Sequence, residues 1–182
     1  VVGMSNDEKK LTALFDFGKA LGIETFTCEP DTEAWKLVDA MCTKYGIKAA
    51  CHNHPQPSHY WNPETVAAAI KDLKHCGACA DTGHWPRSGL EPVASLKQLA
   101  GRVLTLHFKD IAPADKTGVD QPWGTGKGDA RGQLEELLHQ GFRGAISIEY
   151  ETGAGKQLED NVRKCISWFD NTCKELEAKA GK

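Results

Sequence analysis

The stretch VLTLHFKD, from Val103 to Asp110, decides the fold class. Successive side chains of a strand point to opposite faces, so this stretch has two different surfaces. Leu104, Leu106 and Phe108 form a face that is suited to pack under helices. The opposite face ends in His107 and Lys109. An imidazole and an amine at the end of a buried strand indicate that polar groups meet there, and the stretch therefore predicts an α/β enzyme.

Length, composition and charge restrict the class of protein. The chain has 182 residues, of which 40% are hydrophobic and 26% charged, as in an ordinary globular domain with one core. Its formal net charge of -3 predicts neither a nucleic-acid partner nor an anionic membrane partner. No apolar run approaches the roughly 20 residues that a membrane span needs.

The seven cysteines predict a reduced compartment. Most of them fall inside predicted strands or helices, as buried free thiols do, so we expect a cytoplasmic protein. The chain begins with Val1 and Val2 instead of Met, and an export signal therefore cannot be read from it. Cys76 and Cys79 form a CxxC without the second pair that a structural zinc site needs, which favours packing.

Apolar strands alternate with amphipathic helices along the whole chain, which is typical of βαβ units with a parallel sheet. Six strands are predicted, at Val1–Ser5, Ile23–Glu29, Ile47–His54, Ala78–His84, Val103–Asp110 and Gly144–Glu151. Six helices are predicted, at 6–20, 31–46, 63–75, 91–100, 130–140 and from Leu158 to about Ala178, before a charged tail. The predicted loops are 55–62, 85–89 and 111–128, the last containing PWGTGKGD.

Six strand–helix units fit either a barrel or an open doubly wound sheet. A Rossmann sheet has a glycine-rich turn after its first strand, whereas Ser-Asn-Asp-Glu follows here. Five consecutive strands instead end in ionisable residues: Glu29, then His52 and His54, then Asp81, then His107 and Lys109, then Glu149 and Glu151. Convergent polar strand ends favour a TIM (β/α)8 barrel that lacks its first two βα units in this chain. Its two open edges predict association.

The phases of the strands place these ionisable residues on one inner face. Carboxylates and imidazoles that are gathered at one point repel each other or lose hydration unless a cation holds them. A divalent metal ion is the simplest cation that satisfies them.

Several motifs resemble those of the sugar phosphate isomerase/epimerase family, the xylose isomerase-like barrels. They are DTGH at Asp81–His84, LHFKD at Leu106–Asp110, PWGTGKGD, and SIEYE at Ser147–Glu151; HNHPQP and CEP resemble a subgroup. The resemblance covers nearly the whole chain and implies one domain, 1–182, made of the C-terminal six βα units.

The resemblance implies one catalytic divalent ion held by a Glu, an Asp, a His and a second Glu. It assigns Asp81, His107 and Glu149 as ligands. The first Glu is where the sequence departs, because the matching strand end carries His52 and the nearest carboxylate is Glu29. Both are candidates, with Glu29 preferred. We expect Mn²⁺, with Mg²⁺, Co²⁺ or Zn²⁺ as alternatives, and an extra imidazole disfavours Mg²⁺.

Further residues are predicted to act on the substrate. Glu149 is the predicted base, and the resemblance places His84 against a substrate oxygen. His54 and Lys109 are positioned to polarise an oxygen or move a proton. Glu151 and three loop tryptophans are predicted to contact the sugar: Trp61, Trp85 and Trp123.

Each of these predictions has a plainer alternative. Trp85 and Trp123 could be core packing, and Glu151 could form only a salt bridge at the rim. PWGTGKGD could cradle a phosphate with its backbone N–H groups, or it could be an ordinary loop.

The predicted function is a metal-dependent isomerase or epimerase that acts through an enediolate on a keto- or aldo-sugar, phosphorylated or not. The alternatives are a lyase or dehydratase of a keto-sugar and a non-catalytic sugar-binding relative. A DNA-repair nuclease would need more His and Glu residues and a basic face. Family barrels often pair, so a homodimer is also a candidate.

Overall fold

The computed structural model describes residues 1–180; residues 181 and 182, the end of the predicted charged tail, lie outside the described residues. The eight strands are β1 Val2–Met4, β2 Thr25–Pro30, β3 Lys48–His52, β4 Cys76–Asp81, β5 Val103–Phe108, β6 Asp110–Ala112, β7 Val119–Gln121 and β8 Ala145–Ile148. Six of them form one parallel sheet in the order β1-β2-β3-β4-β5-β8, and β6 pairs with β7 in an antiparallel hairpin.

Seven α-helices cover the outer face of this sheet or connect its strands. They are α1 Glu8–Leu21, α2 Trp35–Tyr45, α3 Pro63–Ile70, α4 His84–Arg87, α5 Pro92–Gln98, α6 Ala130–His139 and α7 Gly155–Ala180, and a 3₁₀ turn, Thr32–Ala34, precedes α2. The caps follow from the sequence. Asp7 accepts hydrogen bonds from the first turn of α1, and Gly22 ends that helix with the positive φ of 72° that glycine tolerates.

The core lies between the sheet and the helices. Phe15 of α1 packs edge-on against Phe26 of β2, and Leu106 and Phe108 of β5 are fully buried on the same outer face. The inner face of the sheet is where the polar strand ends point. The alternation predicted for residues 103–110 is therefore confirmed.

The fold is the predicted one, an α/β TIM-barrel architecture of which this chain supplies six strands. The strands β1 and β8 are the two edges of the sheet. Ala145 and Ser147 of β8 are exposed, because no neighbouring strand covers their face. Association through these edges, including the homodimer, stays a prediction.

Several elements differ from the sequence-based expectation. The strands predicted at 47–54, 78–84, 103–110 and 144–151 end earlier, at His52, Asp81, Phe108 and Ile148. The predicted loop 85–89 contains the short helix α4, and the predicted loop 111–128 contains the β6–β7 hairpin. The helix predicted at 63–75 ends at Ile70. Short elements of this kind carry almost no periodic signal, because they are fixed by contacts with distant residues.

All seven cysteines are free, and Cys76 and Cys79 are both buried in β4. No helix among residues 1–180 has the length and apolarity of a membrane span.

Candidate functional site

Four side chains from four neighbouring strands converge at the carboxyl ends of the sheet. His52 ends β3, Asp81 ends β4, His107 lies in β5 and Glu149 follows β8. One ligand atom from each lies within 4.8 Å of one ligand atom from every other. Asp81 and His107 lie side by side because they are paired residues of β4 and β5. The register of this pairing shifts at a bulge between Ala78 and Cys79.

The convergent atoms are buried and lack well-formed hydrogen bonds. His52 Nε2, Asp81 Oδ2, His107 Nδ1 and Glu149 Oε2 are four of the eight such side-chain atoms among the described residues. Buried polar atoms without partners are costly, so four of them at one point require an explanation. Two measured separations are 3.5 Å (His52 Nε2 to Asp81 Oδ2) and 2.9 Å (His107 Nδ1 to Glu149 Oε2).

This geometry fits a divalent metal ion. Ligands about 2.1 Å from one ion lie roughly 3–4 Å from each other, which is the range of the separations observed here. Two imidazoles and two carboxylates form a donor set that suits Mn²⁺, Co²⁺ or Zn²⁺ better than Mg²⁺.

Glu29 lies beside the convergent four rather than among them, and its role as a metal ligand stays a prediction. Its carboxylate does not belong to the convergent four; Oε1 instead lies 3.4 Å from His52 Nδ1 and contacts His54 Nδ1. A carboxylate on the far nitrogen of a metal-binding histidine fixes the ring and its tautomer. The geometry therefore favours His52 as the fourth ligand, with Glu29 as the residue that orients it.

Lys109 is a buried cation beside the convergent group. It is 1% exposed, and its Nζ lies 3.1 Å from Asp81 Oδ2, 3.1 Å from Glu149 Oε2 and 2.7 Å from Glu151 Oε2. Burial lowers the pKa of Lys109, but the charge of Asp81 and the hydrogen bond to Glu151 outweigh burial and raise it. Lys109 is therefore held as an ammonium ion between three carboxylates.

The carboxylates respond to burial in different ways. Burial raises the pKa of Asp81, which is 0% exposed. Burial also acts to raise the pKa of Glu149, but its contacts with His107 and Asp81 and the charge of Lys109 outweigh burial and lower the pKa. For Glu29, hydrogen bonds from His52 and His54 likewise outweigh burial and lower the pKa. Glu29 and Glu149 are thus held as anions, which is the form that can accept a proton.

His84 is a neutral imidazole in this site. Burial, followed by the charges of Lys109 and Arg87, lowers the pKa of His84 to about 2. Arg87 Nη1 lies 3.1 Å from His84 Nδ1, and His84 Nε2 lies 3.4 Å from Asp81 Oδ2. Because an arginine can only donate, Nδ1 is the acceptor and the proton resides on Nε2, which faces the convergent group.

Two supporting residues, Asn53 and Arg87, were missed in the sequence. The Asn53 side chain donates to the Asp81 carbonyl (2.9 Å) and accepts from the Asp81 N–H (2.8 Å), which fixes the end of β4. Arg87 connects His84 to Glu151 Oε2 (3.4 Å) and to the Gly118 carbonyl (3.1 Å). HNH contained the signal for Asn53, since its middle residue is polar, but nothing local distinguished Arg87 from a surface arginine.

The β6–β7 hairpin holds the loop that follows β8. Asp120 Oδ2 accepts from the Glu151 N–H (2.8 Å) and from Thr152 Oγ1 (2.9 Å). Glu151 itself, half exposed, forms ion pairs with Lys109 and Arg87, which corresponds to the salt-bridge alternative given above. Its contact with a sugar stays a prediction.

The glycine-rich loop is filled from inside the protein. The Asp110 carboxylate accepts from the N–H groups of Gly124 (2.9 Å), Gly126 (2.9 Å) and Gly128 (3.0 Å). A Cβ at Gly126 would lie 2.2 Å from Asp110 Oδ1, which explains the glycine there. We therefore correct the hypothesis that this loop cradles a phosphate, because its donors already bind a carboxylate.

Two of the three predicted tryptophans have no face available to a sugar. Trp123 is 3% exposed and packs against Phe108, Trp168 and Phe169 on the outer side of the sheet. Trp85 is 0% exposed within the core. Both predictions are corrected to packing, because aromatic area is buried wherever apolar neighbours cover it.

Trp61 and His54 differ from these buried residues. Trp61 is half-buried on a surface depression that it shares with Gln56, Pro57 and Thr65. His54 has 45% of its side chain exposed, and its ring centroid lies 4.5 Å from that of His52. The contact of Trp61 with the sugar and the catalytic role of His54 therefore stay predictions.

Fold and site together define a class, a TIM-barrel protein with a metal-type cluster at the carboxyl ends of its strands. The chain belongs to the xylose isomerase-like TIM barrel family, whose model matches residues 32–172. The resemblance noted from the motifs is thereby confirmed.

Individual relatives include sugar-processing enzymes. Inosose dehydratase of Lactiplantibacillus plantarum is 27% identical over 132 residues, an alignment that covers 64% of this chain and 44% of that protein. The chain thus spans less than half of this curated relative.

Solved structures agree on the fold. A D-tagatose 3-epimerase-like protein superposes with a TM-score of 0.77 at 19% identity, covering 92% of this chain and 68% of the other. The IolI protein, solved with a bound zinc atom, superposes with a TM-score of 0.71 at 18% identity, covering 98% and 76%.

Proposed function

We propose that this protein is part of a divalent-metal-dependent sugar isomerase or epimerase. The observation that supports this most directly is the convergence of four buried ligand atoms, two imidazole nitrogens and two carboxylate oxygens, at the carboxyl ends of the strands. Active sites of TIM barrels lie at this end, and these donors suit a divalent ion. Relatives that include an epimerase-like protein and a dehydratase support a sugar as the substrate.

His52, Asp81, His107 and Glu149 would hold the ion. When bound, the ion supplies Lewis-acid polarisation of the sugar oxygens and so makes the neighbouring C–H more acidic. We expect Mn²⁺ first, while the zinc atom in the IolI structure supports Zn²⁺ as an alternative. Elemental analysis of the purified protein decides between them, and a preparation without any divalent metal that also fails to bind one would contradict the proposal.

Glu149, which is itself one of the four ligands, and the Glu29–His54 pair beside His52 could exchange protons with the substrate. Glu149, on β8, is an anion and is the proposed base. Glu29 and His54 lie on the other side of His52, on the β2 and β3 side of the site. A proton removed by Glu149 from one face of the enediolate precursor can therefore be replaced from the other face by the Glu29–His54 pair, which is what an epimerisation requires.

His84 and Lys109 are proposed to bind the oxygens of the substrate. The Nε2–H of neutral His84 is a hydrogen-bond donor that does not ionise near neutral pH. The Lys109 ammonium adds a fixed positive charge where negative charge develops on the sugar oxygens. We propose that a small-molecule sugar is the partner of this site, that neither nucleic acid nor a membrane is, and that the protein is cytoplasmic.

Incubation with keto-sugars in D₂O tests the reaction. We expect the recovered sugar to carry one solvent deuterium, on the carbon that lost its proton if the product is an epimer and on the neighbouring carbon if it is an aldose–ketose isomer. Isomeric product without deuterium would contradict proton exchange through Glu149 and the Glu29–His54 pair.

A dehydratase is the second candidate. It is favoured by the similarity to inosose dehydratase and by the half-exposed His54, which could protonate a departing hydroxyl group. An unsaturated product that absorbs in the ultraviolet, formed in place of an isomeric sugar, would favour this second function.

A further inference from the structure

We infer that the sugar accepted by this site carries no phosphate group, an inference that rests on the proposed function and narrows its substrate class. In many TIM barrels, a phosphate is bound by the loops after the last two strands. Here those loops follow β5 and β8, and both lie among the described residues. Three backbone donors of the first loop, and one backbone donor and one hydroxyl group of the second, are bound by two carboxylates of the protein itself.

Asp110 fills the loop after β5. Its two oxygens accept the three N–H groups of Gly124, Gly126 and Gly128, at 2.9 to 3.0 Å. Successive backbone N–H groups that converge in this way form an anion site. With Asp110 2% exposed, the anion in that site is a side chain that a ligand cannot reach.

Asp120 fills the loop after β8 in the same way. It accepts from the Glu151 N–H and from the hydroxyl group of Thr152, and it is 3% exposed. The Glu151 N–H and the Thr152 hydroxyl group are therefore taken by Asp120 and are not available to a phosphate.

The charges at the strand ends support the same conclusion. Four carboxylates face the site: Glu29, Asp81, Glu149 and Glu151. The cations among them, Lys109 and Arg87, are both paired with Glu151, and a bound divalent ion would bring the sum to neutrality. A phosphate adds nearly two further negative charges and would find no free partner among these groups.

The first test compares one ketose with its own phosphate ester on the metal-loaded protein. We expect kcat/KM for the free ketose to exceed that for the ester by at least about tenfold, since an unpaired charge is costly in such a site. A preference for the ester would overturn the inference and leave the proposed function intact. If neither compound exchanges deuterium or reacts, the proposed function fails, and the second test alone decides the inference.

The second test needs no turnover. Asp110→Ala removes the acceptor of the three glycine N–H groups. Inorganic phosphate should therefore bind to these groups in the variant and raise its unfolding temperature by about 3 °C in EDTA, in a saturable manner. The wild-type protein should not respond beyond the effect of chloride at matched ionic strength. Gln133→Ala is the control, because Gln133 supports the same loop by donating to the Gly128 carbonyl (2.7 Å) without filling the anion site.

Two results would contradict the inference. One is saturable stabilisation of the wild-type protein by phosphate. If Lys156→Gln abolishes that stabilisation, the phosphate binds at the start of α7. The other is an Asp110→Ala variant that folds and ignores phosphate. If Asp110→Ala does not fold, the wild-type titration alone decides.

Discussion

At the scale of single residues, the site depends on which ligand atoms converge. His52 Nε2 joins the convergent group while His52 Nδ1 faces Glu29, and this supports the proposal of His52 as the fourth ligand. The inner-face positions of Asp81, His107 and Glu149 were predictable, since strand alternation and the motifs agreed. The role of Glu29 was not predictable, because one carboxylate reaches two histidines only after β2 and β3 are paired.

Glu149→Gln should abolish turnover and weaken metal binding. The amide cannot accept a proton and is a poorer metal ligand, so we expect kcat to fall by about 10³-fold or more. Steady-state kinetics and a metal titration by calorimetry measure the two effects. Glu151→Gln, two residues further along, is the matched control and should keep its affinity for the metal. An active Glu149→Gln enzyme would refute the assignment of the base.

Glu29→Gln should weaken metal binding without removing a ligand. Loss of the carboxylate that orients His52 should lower the affinity about 10- to 100-fold, as is typical for the partners of metal-binding histidines. The exposed Glu33 lies four residues further along and provides the control Glu33→Gln, for which we expect no change. Equal metal affinities of all three proteins would show that Glu29 does not position His52.

At the scale of elements, the β6–β7 hairpin and the short helix α4 complete the site. The hairpin supplies Asp120 to the loop after β8, and α4 supplies His84 and Arg87. Neither element was predicted, because each is stabilised by side chains from other elements rather than by its own periodicity. Arg87 illustrates this, since its hydrogen bonds join α4 to Gly118 in the hairpin and to Glu151.

Asp120→Ala should destabilise the fold through this hairpin. It leaves the partly buried Glu151 N–H and the Thr152 hydroxyl without their acceptor, so we expect a loss of about 2 kcal/mol in the free energy of unfolding. Chemical denaturation measures it. Asp115→Ala, in the exposed turn of the same hairpin, removes only local hydrogen bonds to Thr117 and should cost less than about 1 kcal/mol. Equal losses of unfolding free energy in the two variants would show that Asp120 does not stabilise the loop after β8.

At the scale of the whole molecule, stability is linked to the protonation of the site. His84 has a folded-state pKa of about 2, below the value of roughly 6.5 that applies to an unfolded chain. Its neutral form is therefore favoured by folding. This contribution to stability is complete above the unfolded pKa and is lost as the pH falls from there towards the folded pKa.

The metal-free protein should accordingly lose stability in mild acid because of His84. Between pH 7.5 and pH 5.0, the wild type should lose about 2 kcal/mol more of its unfolding free energy than His84→Asn, which cannot titrate. Urea denaturation of both proteins in EDTA at the two pH values measures the difference. Parallel losses for the two proteins would show that His84 is not held neutral in the fold.

Local patterns in the chain were sufficient to predict the six strands of the parallel sheet, the residues on their inner faces and the polar residues at their ends. These properties follow from alternation and from short motifs, which each strand carries alone. The place of Glu29 beside His52, the burial of Trp85 and Trp123 and the filling of the glycine loop by Asp110 were decided only by the tertiary structure. Each of these depends on distances between residues on different elements, and such distances come into existence only when the sheet and its helices have packed.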